Sequence, residues 1–227
     1  MFFIIKKKSA LIIISVIVGL SILFSFASVY TNSMPKAEFT IVIDAGHGGR
    51  DGGAVGKTTG ISESVLNLQY ALCLKEACEQ FGFDVVLTRS TMDGLYDESA
   101  ANKKKSEMEK RKNIINNSNA DLVISLHMNS FPLSSSEGAQ VFYAKGSEQG
   151  FNLAKSIQNS LSKSFESARD YVTVGDYFVL NYSNIPATLV ECGFLSNPEE
   201  EKLLQTEEYR KNFCYSILAG VINYFEM

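Results

Sequence analysis

Apolar residues recur along the chain with two periods, one typical of helices and one of buried strands. Residues 66–81 place Leu66, Tyr70, Leu74 and Ala77 on one side of a helix, and residues 213–224 repeat this spacing. Short continuous apolar runs, such as Val-Val-Leu before Thr88, instead indicate strands that are covered on both faces. The pattern predicts strands at about residues 39–44, 83–88, 121–126, 138–144 and 187–191, and helices at about residues 63–81, 105–118, 147–166 and 206–225.

Strands and helices alternate from residue 39 to the last residue, and this order determines the expected fold class. Alternating elements favour an α/β protein in which helices cover both faces of a mostly parallel sheet. We therefore predict one α/β/α sandwich domain over residues 39–227, with no internal repeat and no second folded domain.

The first 29 residues have a different character. Three lysines at positions 6–8 precede an uncharged apolar stretch from about Ala10 to Val29, and roughly 20 such residues in a helix would span a bilayer. Residues 1–29 are predicted to be a hydrophobic helix that directs export, either a membrane anchor or a signal peptide cleaved after the small residues near Ala27. Residues 30–38, which include Pro35, are predicted to be a linker.

The charge of the remaining chain argues against a nucleic-acid partner. Three of the 21 basic residues precede residue 36, which leaves 18 basic and 25 acidic residues in residues 36–227. Nucleic-acid binders rely on a basic surface, so no nucleic acid is expected. The run Lys103–Lys105 is interpreted as a solvated helix face, and the four cysteines show no metal-binding or disulfide spacing.

The two histidines are the first candidates for chemistry. His47 and His127 each follow or end an apolar run that is predicted to be a strand. Parallel strands deliver such residues to one edge of the sheet, where α/β proteins bind ligands. Two imidazoles held together suit a zinc ion.

Two glutamates are candidates to complete the site, each with an ordinary structural alternative. Glu63, at the start of the first predicted helix, is a candidate third ligand, although an acid at a helix start also stabilises the helix dipole. Glu191 ends a predicted strand, where a buried acid needs a partner, and that partner is either a metal-bound water or an arginine such as Arg89 or Arg111.

Other polar residues near these positions have weaker assignments. Asp44 is a candidate to orient His47, or else to cap the glycine-rich turn, and Asn129 to bind substrate or to hold its loop. Arg89 and Arg111 are further candidates for binding substrate or supporting the ligands.

Four separated motifs carry a resemblance to a known family. They are Asp44-Ala-Gly-His47-Gly-Gly, Glu63 followed by Asn67-Leu68, Ser125-Leu-His127-Met-Asn129, and Leu189-Val-Glu191-Cys-Gly-Phe-Leu-Ser-Asn-Pro198. In this order they resemble the zinc N-acetylmuramoyl-L-alanine amidases of bacterial cell walls. The segments Gly94-Leu-Tyr-Asp-Glu98 and Asn102-Lys-Lys-Lys105 are similar to the germination-specific amidases of spore-forming bacteria.

The resemblance implies a site and a reaction. It implies one zinc ion per chain bound by His47, Glu63 and His127, with Glu191 as the catalytic acid/base. Water activated at zinc would cleave the amide between the lactyl group of N-acetylmuramic acid and L-alanine in peptidoglycan.

The narrower likeness implies a biological setting for that reaction. Peptides would be removed so that muramic-δ-lactam forms in the spore cortex. The protein is expected to act outside the cytoplasm, anchored or secreted, in the space around the forespore. Since no wall-binding repeat is seen, placement is expected to depend on the membrane segment or on an accessory protein.

Other functions remain open at this point. They are a zinc peptidase of the stem peptides, an amidase that remodels the vegetative wall, a cysteine hydrolase using Cys192 and His127, and an inactive binding module. The glycine-rich loop matches neither the glycine spacing of a P-loop nor that of a dinucleotide-binding loop.

Overall fold

The computed structural model describes residues 39–182 and 184–226. In chain order these residues form β1 (Thr40–Ala45), α1 (Glu63–Phe81), β2 (Asp84–Leu87), α2 (Lys103–Asn116), β3 (Leu122–Asn129), β4 (Gln140–Tyr143), α3 (Glu148–Ser164), β5 (Thr173–Val174), a 3-10 helix (Phe178–Leu180), β6 (Ala187–Phe194), α4 (Pro198–Leu204) and α5 (Glu207–Phe225). The predicted signal or anchor helix and the predicted linker lie outside the described residues.

The strands form one sheet in the order β2-β1-β3-β6-β4-β5. Strands β2, β1, β3 and β6 are parallel, while β4 runs antiparallel to β6 and parallel to β5. The carboxyl ends of β1, β3 and β6 therefore lie side by side at one edge of the sheet. In this register His127 of β3 pairs with Glu191 of β6.

The two faces of the sheet are covered unequally. On one face, β-strand residues such as Ile43 and Ile124 pack with α1, α3 and α5 in the larger core. The other face, which we call the α2 face, is covered by Ile115 of α2 and by Leu180 of the 3-10 helix in a smaller cluster. Because side chains alternate along a strand, Glu191 projects to the α2 face, as does Leu189 two residues before it.

The predicted fold class, an α/β domain with a mostly parallel sheet, is confirmed. Helix α1 has the predicted bounds, and α2 begins two residues earlier than expected because the Asn102 side chain caps it by accepting from Lys105 N at 2.9 Å. Strand β5 and helix α4 were not predicted. Helix α4 starts after Asn197, whose side chain accepts from two backbone N–H groups, with Pro198 at its first turn.

Within the two described stretches, no helix has the length and apolar character needed to cross a bilayer.

Candidate active site

The chain brings three donor side chains together by folding the loop after β1 back onto the sheet. His47 follows β1, His127 lies near the end of β3, and Glu63 is the first residue of α1. Backbone hydrogen bonds fix the loop at both ends, from Gly46 N to Leu126 O at 3.1 Å and from Glu63 N to Ala54 O at 2.8 Å. The start of α1 is therefore held beside the two strand ends.

These three side chains form a compact cluster that fits a metal ion. Glu63 Oε1 lies 2.8 Å from His127 Nδ1 and 3.2 Å from His47 Nε2, and one donor atom of each residue lies within 4.8 Å of the others. A metal bonded at about 2.0–2.1 Å holds tetrahedral ligands about 3.3 Å apart. The donor types and their spacing thus suit a two-histidine, one-carboxylate zinc site.

Two glycines allow this close approach. A Cβ on Gly46 would lie 2.2 Å from His127 Nε2, so the imidazole packs directly on the glycine backbone. Gly53 has a φ of +68°, and a Cβ there would lie 2.4 Å from Glu63 Oε2. Any larger residue at either position would displace a donor side chain.

Hydrogen bonds orient the Glu63 carboxylate and keep it ionised. Its Oε2 accepts from Ala54 N at 2.8 Å, and its Oε1 accepts from Met128 N at 3.2 Å. Burial alone would raise the pKa of Glu63, but interactions with His127 and His47 outweigh it and hold the pKa well below its usual range. A buried, ionised carboxylate between two imidazoles is a strong ligand for a cation.

Glu191 projects from β6 beside this cluster without a partner of its own. It is 9% exposed, and its Oε2 has no hydrogen-bond partner. Burial, partly offset by His127, raises the pKa of Glu191 to about 7. A carboxyl group with a pKa near neutrality can both take and release a proton at that pH.

Asp51 is a functional candidate that the sequence analysis missed. Its Oδ1 lies 2.8 Å from His47 Nδ1, although the two atoms are not aligned as a hydrogen bond, and its Oδ2 lies 2.5 Å from Lys104 Nζ. Burial opposes ionisation of Asp51, but Lys104 and His47 lower its pKa to about 2. Lys104 is exposed, as expected for the solvated run 103–105, and its ammonium group additionally pairs with the Asp51 carboxylate in the histidine loop.

Asp44 has a different role from the one expected, because the carboxylate that lies beside His47 belongs to Asp51. Asp44 is buried and forms an ion pair with Arg111, and it accepts from Thr88 Oγ1 at 2.7 Å and Ser125 Oγ at 2.6 Å. Burial would raise the pKa of Asp44, but these partners lower it.

The two arginines hold the backbone at the end of β1. Arg111 also pairs with Glu107 and donates to the carbonyl of His47, which has a left-handed φ of 59°. Arg89 donates to carbonyls of Ala45 and Gly46, each at 3.0 Å. Both guanidinium groups are thus engaged away from Glu191, and the salt bridge considered for it is absent among the described residues.

Two remaining candidates lie near the site in different settings. Asn129 ends β3, and its carbonyl accepts from Leu195 N at 2.8 Å. Cys192 is buried in the larger core on the other side of the sheet from Glu191. Burial raises the pKa of Cys192 well above its usual value, which argues against a thiolate nucleophile.

Comparison with known proteins gives consistent matches over nearly all of the described residues. Residues 41–223 match the sequence model of the N-acetylmuramoyl-L-alanine amidases called Amidase_3. The germination-specific N-acetylmuramoyl-L-alanine amidase of Bacillus subtilis is 33% identical over 197 residues, covering 85% of this chain and 82% of that protein.

Solved structures give the same result. The CwlD amidase of Clostridioides difficile, in complex with the GerS lipoprotein, has a TM-score of 0.79 and 38% identity, covering 83% of this chain and 99% of that one. An N-acetylmuramoyl-L-alanine amidase of Clostridium difficile 630 has a TM-score of 0.74 and 32% identity, covering 85% and 98%.

Proposed function

The chain belongs to the N-acetylmuramoyl-L-alanine amidase family, and on that premise we propose that it hydrolyses the amide between the lactyl group of N-acetylmuramic acid and L-alanine in peptidoglycan. The observation that carries the proposal is the position of Glu191. Its unpartnered, buried carboxyl group stands in register with His127, beside a cluster of three metal-binding side chains.

His47, Glu63 and His127 would hold one zinc ion per chain. When zinc is bound, the site gains a Lewis acid, the chemistry that makes water nucleophilic near neutral pH and polarises a carbonyl. The two imidazoles are neutral as ligands and Glu63 contributes a single negative charge, so the cation keeps a net positive charge. The carboxylate of Asp51 lies beside the His47 imidazole, and Arg111 donates to the carbonyl of His47.

Glu191 performs the proton transfers. Its carboxylate accepts a proton from the attacking water, and the resulting carboxylic acid donates that proton to the alanine nitrogen as the amide bond breaks. The leaving amine needs this proton because it departs poorly as an anion. Because Glu191 is buried and its Oε2 has no hydrogen-bond partner, that oxygen is free for this exchange.

The relatives suggest where the reaction takes place. Because similar proteins are a germination-specific amidase and an amidase bound to a lipoprotein, we propose that this protein acts outside the cytoplasm on spore-cortex peptidoglycan. There it would strip peptides from muramic acid, so that muramic-δ-lactam can form. An accessory protein and the N-terminal membrane segment are the proposed means of placement.

Mass spectrometry of digested peptidoglycan tests the reaction. Purified full-length protein with zinc should release stem peptides that begin with free L-alanine. The Glu191→Gln variant and a chelated sample should release none, while the variant keeps its zinc. Cleavage between amino acids within the stem would replace the amidase with a zinc peptidase, and loss of zinc from Glu191→Gln would make Glu191 a ligand.

A further inference from the structure

A cavity of about 240 Å³ opens directly beside the two histidines on the α2 face. One wall is aromatic and aliphatic, formed by Tyr177, Phe178, Val179, Tyr182, Met108 and Leu189. Burial, and after it the carboxylate of Glu191, raise the pKa of Tyr177, which places this wall within electrostatic reach of the proposed acid/base. Whatever lies in this cavity is therefore adjacent to the bond that reacts.

The wall is preformed by ring packing and yet remains open to a ligand. Tyr177 contacts Phe142 edge to face at a ring-centroid distance of 5.3 Å, and the ring of Phe178 lies against that of Tyr182. Phe178 is nevertheless 48% exposed and Tyr177 is 36% exposed. Aromatic rings that are held rigidly but left partly uncovered beside an active site are typical of a binding surface.

The charges around the cavity discriminate between the two halves of the substrate. Arg111 is paired with Asp44 and Glu107, and Lys104 is paired with Asp51. Both basic side chains that line the cavity are thus paired with carboxylates, and carboxylates outnumber basic side chains in this set. The stem peptide carries carboxylates, whereas an N-acetylmuramoyl group in amide linkage is uncharged and presents apolar C–H faces.

We infer that the cavity binds the N-acetylmuramoyl ring of the glycan strand, with Tyr177 and Phe178 as the aromatic wall for its apolar face. The stem peptide then leaves the site on the side away from the 3-10 helix. This inference rests on the proposed amidase function and adds which half of the substrate lies in the cavity. Phe178 becomes a residue that determines substrate binding, without a role in the proton transfers.

Ligand-observed NMR on the zinc-loaded full-length Glu191→Gln protein tests this assignment, because that background does not turn over either probe. One probe is a peptide-free N-acetylglucosaminyl-N-acetylmuramyl disaccharide capped as the simple amide, and the other is a free stem tetrapeptide. Adding Phe178→Ala should weaken disaccharide binding about tenfold and change tetrapeptide binding by less than about twofold. Phe178→Tyr should restore binding, because it keeps the ring.

Tyr215→Ala is the matched control, since Tyr215 is also an exposed aromatic residue, on α5. Thermal unfolding and zinc content should be unchanged in all variants. The inference is overturned if the parent does not bind the disaccharide, if Phe178→Ala binds it equally well, or if the tetrapeptide is the probe that is lost. Release of alanine amino termini by the unmodified enzyme, measured separately, decides the amidase function whatever the NMR result.

Discussion

Replacing Arg111 by methionine tests how the ion pairs beneath the active site are maintained. The arginine side chain is 3% exposed and pairs with Asp44 and Glu107, which are equally buried. It also donates to Ala45 O at 2.8 Å and to His47 O. Methionine keeps an unbranched apolar stem of similar reach and removes only the guanidinium group, so the change isolates the charge.

The expected loss of stability follows from what remains behind. Removing one partner of a buried ion pair costs about 3–5 kcal/mol, because the other charge stays buried and uncompensated. Asp44 would keep its hydrogen bonds from Thr88 and Ser125, which favours the lower half of that range. We therefore expect Arg111→Met to lower the free energy of unfolding by about 3–4 kcal/mol at pH 7.

The effect should also depend on pH with a defined sign. Because the pKa of Asp44 is lowered in the folded protein, its contribution is present above the unfolded value of 3.8 and is lost as the pH falls through the folded pKa. Arg111→Met removes the guanidinium group that lowers the pKa of Asp44. The difference in stability between wild type and variant should therefore narrow in acid.

Urea unfolding of the metal-free proteins measures these quantities. Arg210→Met is the control, since Arg210 contacts Gln69 on an exposed surface and should cost less than about 1 kcal/mol. Adding Asp44→Asn to Arg111→Met should recover part of the loss, because it removes one stranded charge. A loss below about 1 kcal/mol for Arg111→Met would refute the reasoning, as it would show that the two carboxylates do not need this partner.

Three further predictions concern the site itself. Asp51→Asn should weaken zinc binding about 10- to 100-fold in a chelator competition assay, because the His47 imidazole loses the carboxylate that lies beside its Nδ1. In metal-free protein the pKa of Glu191 is raised from 4.5 to about 7, so the folded state keeps a proton that the unfolded state releases. As the pH rises from 4.5 to 7, the free energy of unfolding of the wild type should therefore fall by up to about 3 kcal/mol relative to that of Glu191→Gln. Urea unfolding at each pH measures this difference. Gly53→Ala should abolish zinc binding by displacing Glu63, whereas Gly60→Ala, with a similar positive φ but open space around it, should bind zinc normally; equal zinc contents would contradict the steric argument.

The sequence was sufficient for the elements that show a long apolar period. Helix α1 has the predicted bounds because its stripe continues to Phe81 and Gly82 ends it in a left-handed conformation. The short elements were missed for a different reason. Strand β5 has only two residues, which is too short for a period, whereas α4 is signalled by Asn197-Pro198 and three glutamates rather than by apolar spacing.

The candidate site was predictable where strand ends carry it and unpredictable where a loop does. His127 and Glu191 are brought together by strand register, which follows from two parallel apolar runs. The contact between Asp51 and His47 depends on the left-handed backbone at His47, and residue spacing does not report backbone conformation. The pairing of the exposed Lys104 with Asp51 was likewise not predicted, because the two residues are 53 positions apart in the sequence.

The unequal covering of the sheet has a consequence for how this protein can change. Stability resides mainly in the larger core with α1, α3 and α5, while the active site opens on the α2 face beside the 3-10 helix and Tyr182. Residues 176–182, which contribute to the smaller cluster and not to the larger core, can therefore be exchanged or redesigned with little disturbance of the larger core or of the His47, Glu63 and His127 cluster. Because this stretch forms much of the cavity wall, replacing it with the sequence of a relative should change which glycan is bound. Glycan preference can thus evolve, or be engineered, while the rest of the domain is kept.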